Sequence, residues 1–377
     1  MRSALIYYLA ALGICAVLSH RTLSADTVLK DAFASEFRVG VAIGDDPLLN
    51  SRQGYLTLAA RQFNTATPEN QLKWESVQPR SGEFDFGPGD RFVEFCEQNE
   101  FFVVGHVLVW HSQTPDWVFQ DDQGNPLDRD ALLARMRDHI TEVVGHYRGR
   151  IHAWDVVNEA LNDDGTLRDT PWLRIIGEDY LAHAFRFAQE ADPEAELYYN
   201  DYNMFAAPKR KGAVRIVRGL QRAGCRIDGI GMQGHWGLAY PSAEEADASI
   251  KAYSRLGVKV MITELDVNVL PSPDWSQGAD VASRTGYSEE MDPYRDGLPP
   301  EVQQSLAERY AELFRLFTRH SKKIDRVTFW GLDDGSSWRN NWPIPGRTAH
   351  PLLFDRQFLP KQAFHAVIAE SDPSGHN

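Results

Sequence analysis

Eight short apolar runs punctuate the chain, with helical patterns between them, and this alternation limits the fold more than any other feature. The runs are Phe37 to Gly44 (FRVGVAIG), Gln62 to Thr67, Phe101 to Val109, Ile151 to Val157, Glu196 to Asn200, Ile227 to Gln233, Lys259 to Glu264 and Arg326 to Gly331. Most are rich in Val, Ile, Tyr and Phe, as expected of strands covered on both faces by helices. Between them, Leu132, Met136, Ile140, Val143 and Val144 fall on one face of a helix that Asp128 is placed to cap. Val302, Leu306, Tyr310, Leu313, Phe314 and Phe317 do the same after Pro299-Pro300. Lys209 to Arg222 and Ala243 to Leu256 are further helix candidates. This pattern predicts an α/β fold, a single (β/α)8 TIM barrel with its cleft at the C-terminal ends of the strands. A doubly wound open sheet is the alternative, and no GxGxxG follows the first run to support it. Asn268 to Pro300 is the longest irregular stretch, and after the seventh strand it falls on the active face of a barrel.

Composition narrows the class. The 377 residues are 43% hydrophobic and 24% charged, enough for one large core. Formal charge is −14, so nucleic acid is not an expected partner. Arg2, the apolar run Ala4 to Leu18 and the small residues around Ala25 have the layout of a secretory signal, shorter than a membrane-spanning helix. The expected division is therefore residues 1–25 as signal and 26–377 as catalytic domain, secreted to the periplasm or the exterior, with no membrane association after cleavage. Cys15 lies in the signal; Cys96 and Cys225 could pair or remain buried thiols, and without CxxC they make no zinc site.

The strand ends are unusually polar. They carry Glu69, Asn70, Lys73, His106, Trp110, His111, Asn158, Glu159, Asn200, Gln233, His235, Glu264, Asp266 and Trp330. Any one of these commonly caps a helix or faces solvent, but their concentration at one end of the strands points to a site. Two glutamates, Glu159 and Glu264, end two strands and suit glycoside chemistry: one protonates the leaving oxygen, the other attacks the anomeric carbon or activates water. Such a pair could also ligate a metal. His235 and Asp266 are placed to support Glu264. Trp74, Trp110, Trp330 and Trp338 lie at or just beyond strand ends, where flat aromatic faces suit sugar rings; core packing is the competing explanation for each. HxxxxH at His106 and His111 is a weak metal motif, and neither GxSxG nor a phosphate-binding GxxxxGK[ST] is present. No metal or cofactor is expected.

Seven stretches in order carry a resemblance. TPENQLKWE (Thr67 to Glu75), GHVLVWHSQTPDW (Gly105 to Trp117), WDVVNE (Trp154 to Glu159), YYNDYN (Tyr198 to Asn203), GIGMQGHW (Gly229 to Trp236), ITELD (Ile262 to Asp266) and WGLDDGSSW (Trp330 to Trp338) resemble the motif series of glycoside hydrolase family ten, the endo-β-1,4-xylanases. The resemblance runs from about Phe37 to Ile368. It implies a retaining enzyme acting on xylan and xylo-oligosaccharides as a monomer, with Glu159 as general acid/base and Glu264 as nucleophile. Asn158 would bind the sugar 2-hydroxyl. Glu69, Asn70, Lys73, His106, Trp110, Gln233, His235, Trp330 and Trp338 would line the glycone side, and Tyr202 and Asn203 the aglycone side. Asp333-Asp334 replaces the single acid common in the family, which bears on the cleft's outer rim. In retaining enzymes the carboxyl groups stand about 5–5.5 Å apart, against roughly 6.5–9.5 Å in inverting ones. The alternatives are a β-1,4-glucanase of the same fold and a catalytically inactive polysaccharide-binding barrel.

Overall fold

The computed structural model describes residues 27–50, 52–273, 281 and 284–371. The expected signal, with Cys15, lies outside the described residues. Among the described residues nine strands form in chain order: β1 Arg38–Ile43, β2 Thr65–Pro68, β3 Phe102–Val109, β4 Ala153–Asn158, β5 Glu196–Asp201, β6 Gly229–Met232, β7 His235–Gly237, β8 Lys259–Asn268 and β9 Ile324–Phe329. Each pairs in parallel with its neighbour from β1 to β6; β6 then pairs with β8, β8 with β9, and β9 with β1. That ring of eight is the closed barrel the eight runs predict.

Helices fill the crossovers and cover the barrel's outer face. Asp128 caps Arg129–His146 by accepting the Ala131 N–H at 2.9 Å, and Leu132, Met136, Ile140, Val143 and Val144 are all buried. Pro300–Arg319 buries Leu306, Tyr310, Leu313, Phe314 and Phe317. Cys96 and Cys225 are buried free thiols. Inside the barrel, Val104, Ala153, Tyr198 and Met261 pack together toward the N-terminal ends of the strands. Above that plug the inward residues turn polar, so the same strands close the core below and furnish a site above.

Two departures from the expected strand limits matter for the site. The sixth run stops at Met232, and the chain resumes as β7 after Gly234, whose φ of +87° suits glycine. The seventh strand continues past Glu264 to Asn268. Between Ile262 and Leu265, β8 holds one more residue than β9, whose partners there are Val327 and Phe329. Glu264 therefore sits on a β-bulge, a device that re-aims a side chain at a barrel rim.

The long stretch after β8 is tied down on its described residues. Thr285 donates its N–H to Pro343 O at 2.9 Å, and Asp292 Oδ1 accepts the Thr348 N–H at 2.9 Å. These bonds fix it against the segment that follows β9. No helix among the described residues is long and apolar enough to cross a membrane.

Candidate active site

A cleft of about 440 Å³ opens at the C-terminal ends of the strands. Of the residues the sequence singled out, Glu69, Asn70, Lys73, His106, Trp110, Asn158, Glu159, Gln233, His235, Glu264, Trp330 and Trp338 line it. Gln113, Val281, Arg284, Asn341 and Trp342 also line it, and none of these was singled out. They lie on connecting segments, where no strand pattern indicates which side chains turn inward.

The two glutamates share one hydrogen-bonded floor. Glu159 Oε2 accepts from Trp110 Nε1 at 2.9 Å; its Oε1 accepts from Gln233 Nε2 at 2.9 Å and Asn158 Nδ2 at 3.2 Å. Across the floor, Asn200 Nδ2 donates both to Asn158 Oδ1 at 3.0 Å and to Glu264 Oε1 at 2.7 Å. Thr263 in turn donates to Asn200 Oδ1 at 2.6 Å. Asn200 thus links the two carboxyl neighbourhoods. The sequence placed it at a strand end, but nothing in one chain marks an amide as a bridge.

The other Glu264 oxygen meets His235 Nε2 at 3.0 Å, and His235 Nδ1 meets Asp266 Oδ2 at 3.0 Å. Asp266 does not line the cleft. It lies behind His235, where it also accepts from Trp338 Nε1 and Arg339 Nε, each at 2.7 Å. This places His235 and Asp266 in the relation to Glu264 expected from the sequence.

The two carboxyl groups are pushed in opposite directions. Burial raises Glu159; the bonds from Gln233 and Trp110 pull the other way, the Glu264 charge adds to the rise, and the net effect is upward. Burial would raise Glu264 too, but the hydrogen bond and charge of His235 outweigh it and hold that carboxyl below its ordinary range. Burial pushes His235 down, yet Asp266 and Glu264 bring it up to about 9, so the ring is an imidazolium at neutral pH that donates from both nitrogens. Across one cleft, one carboxyl is thus biased toward its protonated form and the other toward its ionised form.

Around them, Lys73 Nζ donates to Asn70 Oδ1 at 2.9 Å and Gln113 Oε1 at 2.7 Å, and burial lowers its pKa despite the surrounding glutamates. Burial raises Glu69, with Lys73 opposing. His106 pairs with buried Asp155 at 3.0 Å and sets its ring edge-on to Trp330. Trp338 stacks on Trp342, centroids 4.6 Å apart.

Some expectations need correction. Trp74, read as a candidate sugar platform, is buried away from the cleft and stacks on His139 at 3.5 Å; the short helix Trp74–Val77 turns its ring into the core. Tyr202 and Asn203 do not line the cleft with the others. Tyr202 is buried beside Arg168, and Asn203 turns toward Asp163. Asp333 and Asp334 are not on the rim. Both are buried: Asp334 accepts from Lys361 Nζ and the Leu352 N–H at 2.9 Å each, and Asp333 accepts the Gly335 N–H at 2.7 Å. No group of acids, histidines and cysteines suited to hold a metal is found among the described residues.

A closed parallel barrel presenting a carboxylate pair at its strand ends defines the class of barrel enzymes built for glycoside chemistry. Comparison with known proteins narrows this. The sequence profile of "Glycosyl hydrolase family 10" matches residues 28–370, and the chain belongs to that family. It is 43% identical over 340 residues to endo-1,4-beta-xylanase A of Xylanibacter ruminicola, covering 90% of this chain and 92% of that protein. It is 41% identical over 344 residues to an endo-1,4-beta-xylanase of Geobacillus stearothermophilus, covering 90% and 97%. Among solved structures, a family 10 endoxylanase retrieved from a sugarcane soil metagenome superposes with a TM-score of 0.88 at 44% identity, covering 90% of this chain and 99% of that one. A xylotriose complex of the intracellular xylanase of Thermoanaerobacterium saccharolyticum gives a TM-score of 0.78 at 35% identity, covering 91% and 99%.

Proposed function

We propose that this chain is a secreted, monomeric, retaining endo-β-1,4-xylanase that needs no metal or cofactor. It cleaves internal bonds of xylan and xylo-oligosaccharides by double displacement. Glu159, kept protonated, gives its proton to the glycosidic oxygen as Glu264, kept ionised, attacks the anomeric carbon. The aglycone leaves and a covalent glycosyl-enzyme remains on Glu264. Glu159, now a carboxylate, takes a proton from water, which attacks the same carbon and releases Glu264. Asn158, which bonds Glu159 and is linked to Glu264 through Asn200, holds the 2-hydroxyl of the reacting sugar. Lys73, Glu69 and Asn70 bind further hydroxyls on the glycone side, while Trp330 and Trp338 stack on sugar faces.

The observation that carries this reading is the opposite displacement of the two carboxyl groups within one cleft. Relatives named as xylanases and a xylotriose complex in the same fold support the substrate class. Hydrolysis of xylan compared with carboxymethyl cellulose tests it. Xylan is expected to release reducing ends and carboxymethyl cellulose almost none. The reverse preference favours a glucanase, and no release from either favours a binding barrel. Glu264→Ala is expected to abolish turnover with the fold intact, and Glu159→Ala to spare only substrates whose leaving group needs no proton. Full activity of Glu159→Ala on xylan would overturn the assignment of roles.

A further inference from the structure

We propose that Arg168 is a positioning residue for Glu159, clamping the backbone of the acid/base from the aglycone side. The inference rests on the reading of Glu159 as the acid/base. Glu159 has a φ of +57°, in the left-handed region that residues with a Cβ rarely occupy, so its surroundings must hold it there. Its N–H donates to Asn200 O at 2.9 Å. Its carbonyl accepts from Arg168 Nε at 3.2 Å. The same guanidinium donates through Nη2 to Leu161 O at 3.3 Å and to the Tyr202 hydroxyl at 2.5 Å. The Arg168 N–H also donates to Ala160 O at 2.8 Å, closing the loop on itself.

One side chain therefore ties the segment carrying the acid to a buried ring just beyond β5. That ring is itself fixed from the other side. Lys209 Nζ lies 3.5 Å from the Tyr202 ring centroid and pairs with Asp201 at 2.9 Å and Asp163 at 3.2 Å. Asp201 Oδ2 in turn accepts the Leu161 N–H at 3.3 Å. The planar guanidinium reaches these acceptors through separate nitrogens, Nε and Nη2, held in a fixed fork, whereas an ammonium gathers its acceptors around one nitrogen.

The charge of Arg168 acts on the same carboxyl. Glu159 faces Glu264 on β8, Lys73 beyond β2, and Asp201 and Tyr202 at the end of β5. His111 and Tyr180 share a small cleft with it. Burial is the largest influence and raises the carboxyl, while Arg168 counts among the groups that lower it. Removing that positive charge lets the carboxyl rise, so it stays protonated to higher pH.

The test uses the full chain with Arg168→Met and Arg168→Lys, measuring kcat/KM across pH on xylotetraose and on 2,4-dinitrophenyl xylobioside. The second substrate has a leaving group that needs no proton. Arg168→Met is expected to lose about tenfold or more on xylotetraose, to stay within about twofold on the dinitrophenyl substrate, and to move its alkaline limb to higher pH. Arg168→Lys keeps the limb in place but recovers only part of the rate. Should Arg168→Met fail to fold by circular dichroism, the Lys variant carries the test through the ratio of its two rates, which must still fall on the poor leaving group. Equal losses on both substrates, no loss on either, or an unmoved alkaline limb in Arg168→Met would overturn the inference. A wild-type protein inactive on both substrates would instead sink the functional reading itself.

Discussion

Replacing Asp266 by asparagine probes the environment of Glu264, the proposed nucleophile, without replacing a residue of the cleft lining. Asp266 holds His235 Nδ1 at 3.0 Å while also accepting from Trp338 and Arg339. Burial alone would depress His235, and Asp266 is the largest influence bringing it up to about 9. Against an ordinary 6.5, at about 1.4 kcal/mol per pH unit, this is roughly 3 kcal/mol in favour of the imidazolium. The folded-state value lies above the unfolded one. This stabilisation is thus fully present below pH 6.5 and is lost as pH rises through about 9. In Asp266→Asn only Glu264 is left to oppose burial, so the ring's pKa is expected to fall and its cationic form to be depleted toward pH 7. Glu264 then loses a cationic donor and its carboxyl rises. The acidic limb of kcat/KM on xylotetraose is expected to move to higher pH. Thermal melts are expected to show the variant furthest below wild type near pH 6, with the gap narrowing toward pH 9. An acidic limb that stays in place, together with a melting gap independent of pH, would refute the role given to this pair.

Other expectations follow from the packing. His139 is buried on Trp74 with Gln78 at 2.8 Å, and burial pushes its ring down to about 3. Its stabilisation is present above pH 6.5 and lost as pH falls toward 3, so His139→Phe is expected to flatten the acid-induced fall in melting temperature. A fall as steep as that of wild type would count against this. Gly105→Ala would place a Cβ 2.2 Å from the buried Trp154 indole. The expected cost is about 1–3 kcal/mol, read as a lower urea midpoint, and an unchanged midpoint would show that the indole does move. Trp74→Phe and Trp338→Phe should separate cleanly: the first lowers melting temperature and spares KM, while the second, losing the bond to Asp266 and part of the sugar platform, raises KM. The opposite pattern would exchange their roles.

The barrel was legible because its strands are buried on both faces, and runs such as Phe101 to Val109 and Ile151 to Val157 have to be continuously apolar. The site was legible because the residues at the ends of those runs are polar and few, and Glu159, Gln233 and Glu264 all reached the cleft. The strand limits were misread where chemistry interrupts the pattern. The acids of ITELD look like a strand end, yet β8 continues to Asn268 with Glu264 and Asp266 turned inward and Leu265 and Val267 buried in the hydrophobic core. The aromatics were the least readable residues. Trp74 and Trp338 occupy comparable places in their motifs, and only the direction of a short helical turn sends one ring into the core and the other to the cleft. Arg168 carries no pattern at all. Its importance comes from three acceptors that converge only once the loop after β4 has folded back.

The central claim is that Glu264 forms the bond to sugar and Glu159 does not. A 2-deoxy-2-fluoro xylobioside with a dinitrophenolate leaving group slows the second displacement, so a glycosyl-enzyme should accumulate. Peptide mass spectrometry of the inactivated protein is expected to find one 2-deoxy-2-fluoroxylobiosyl adduct, with the dinitrophenolate released, on the carboxyl of Glu264. An adduct on Glu159, or turnover with no adduct and inverted product configuration, would contradict the account.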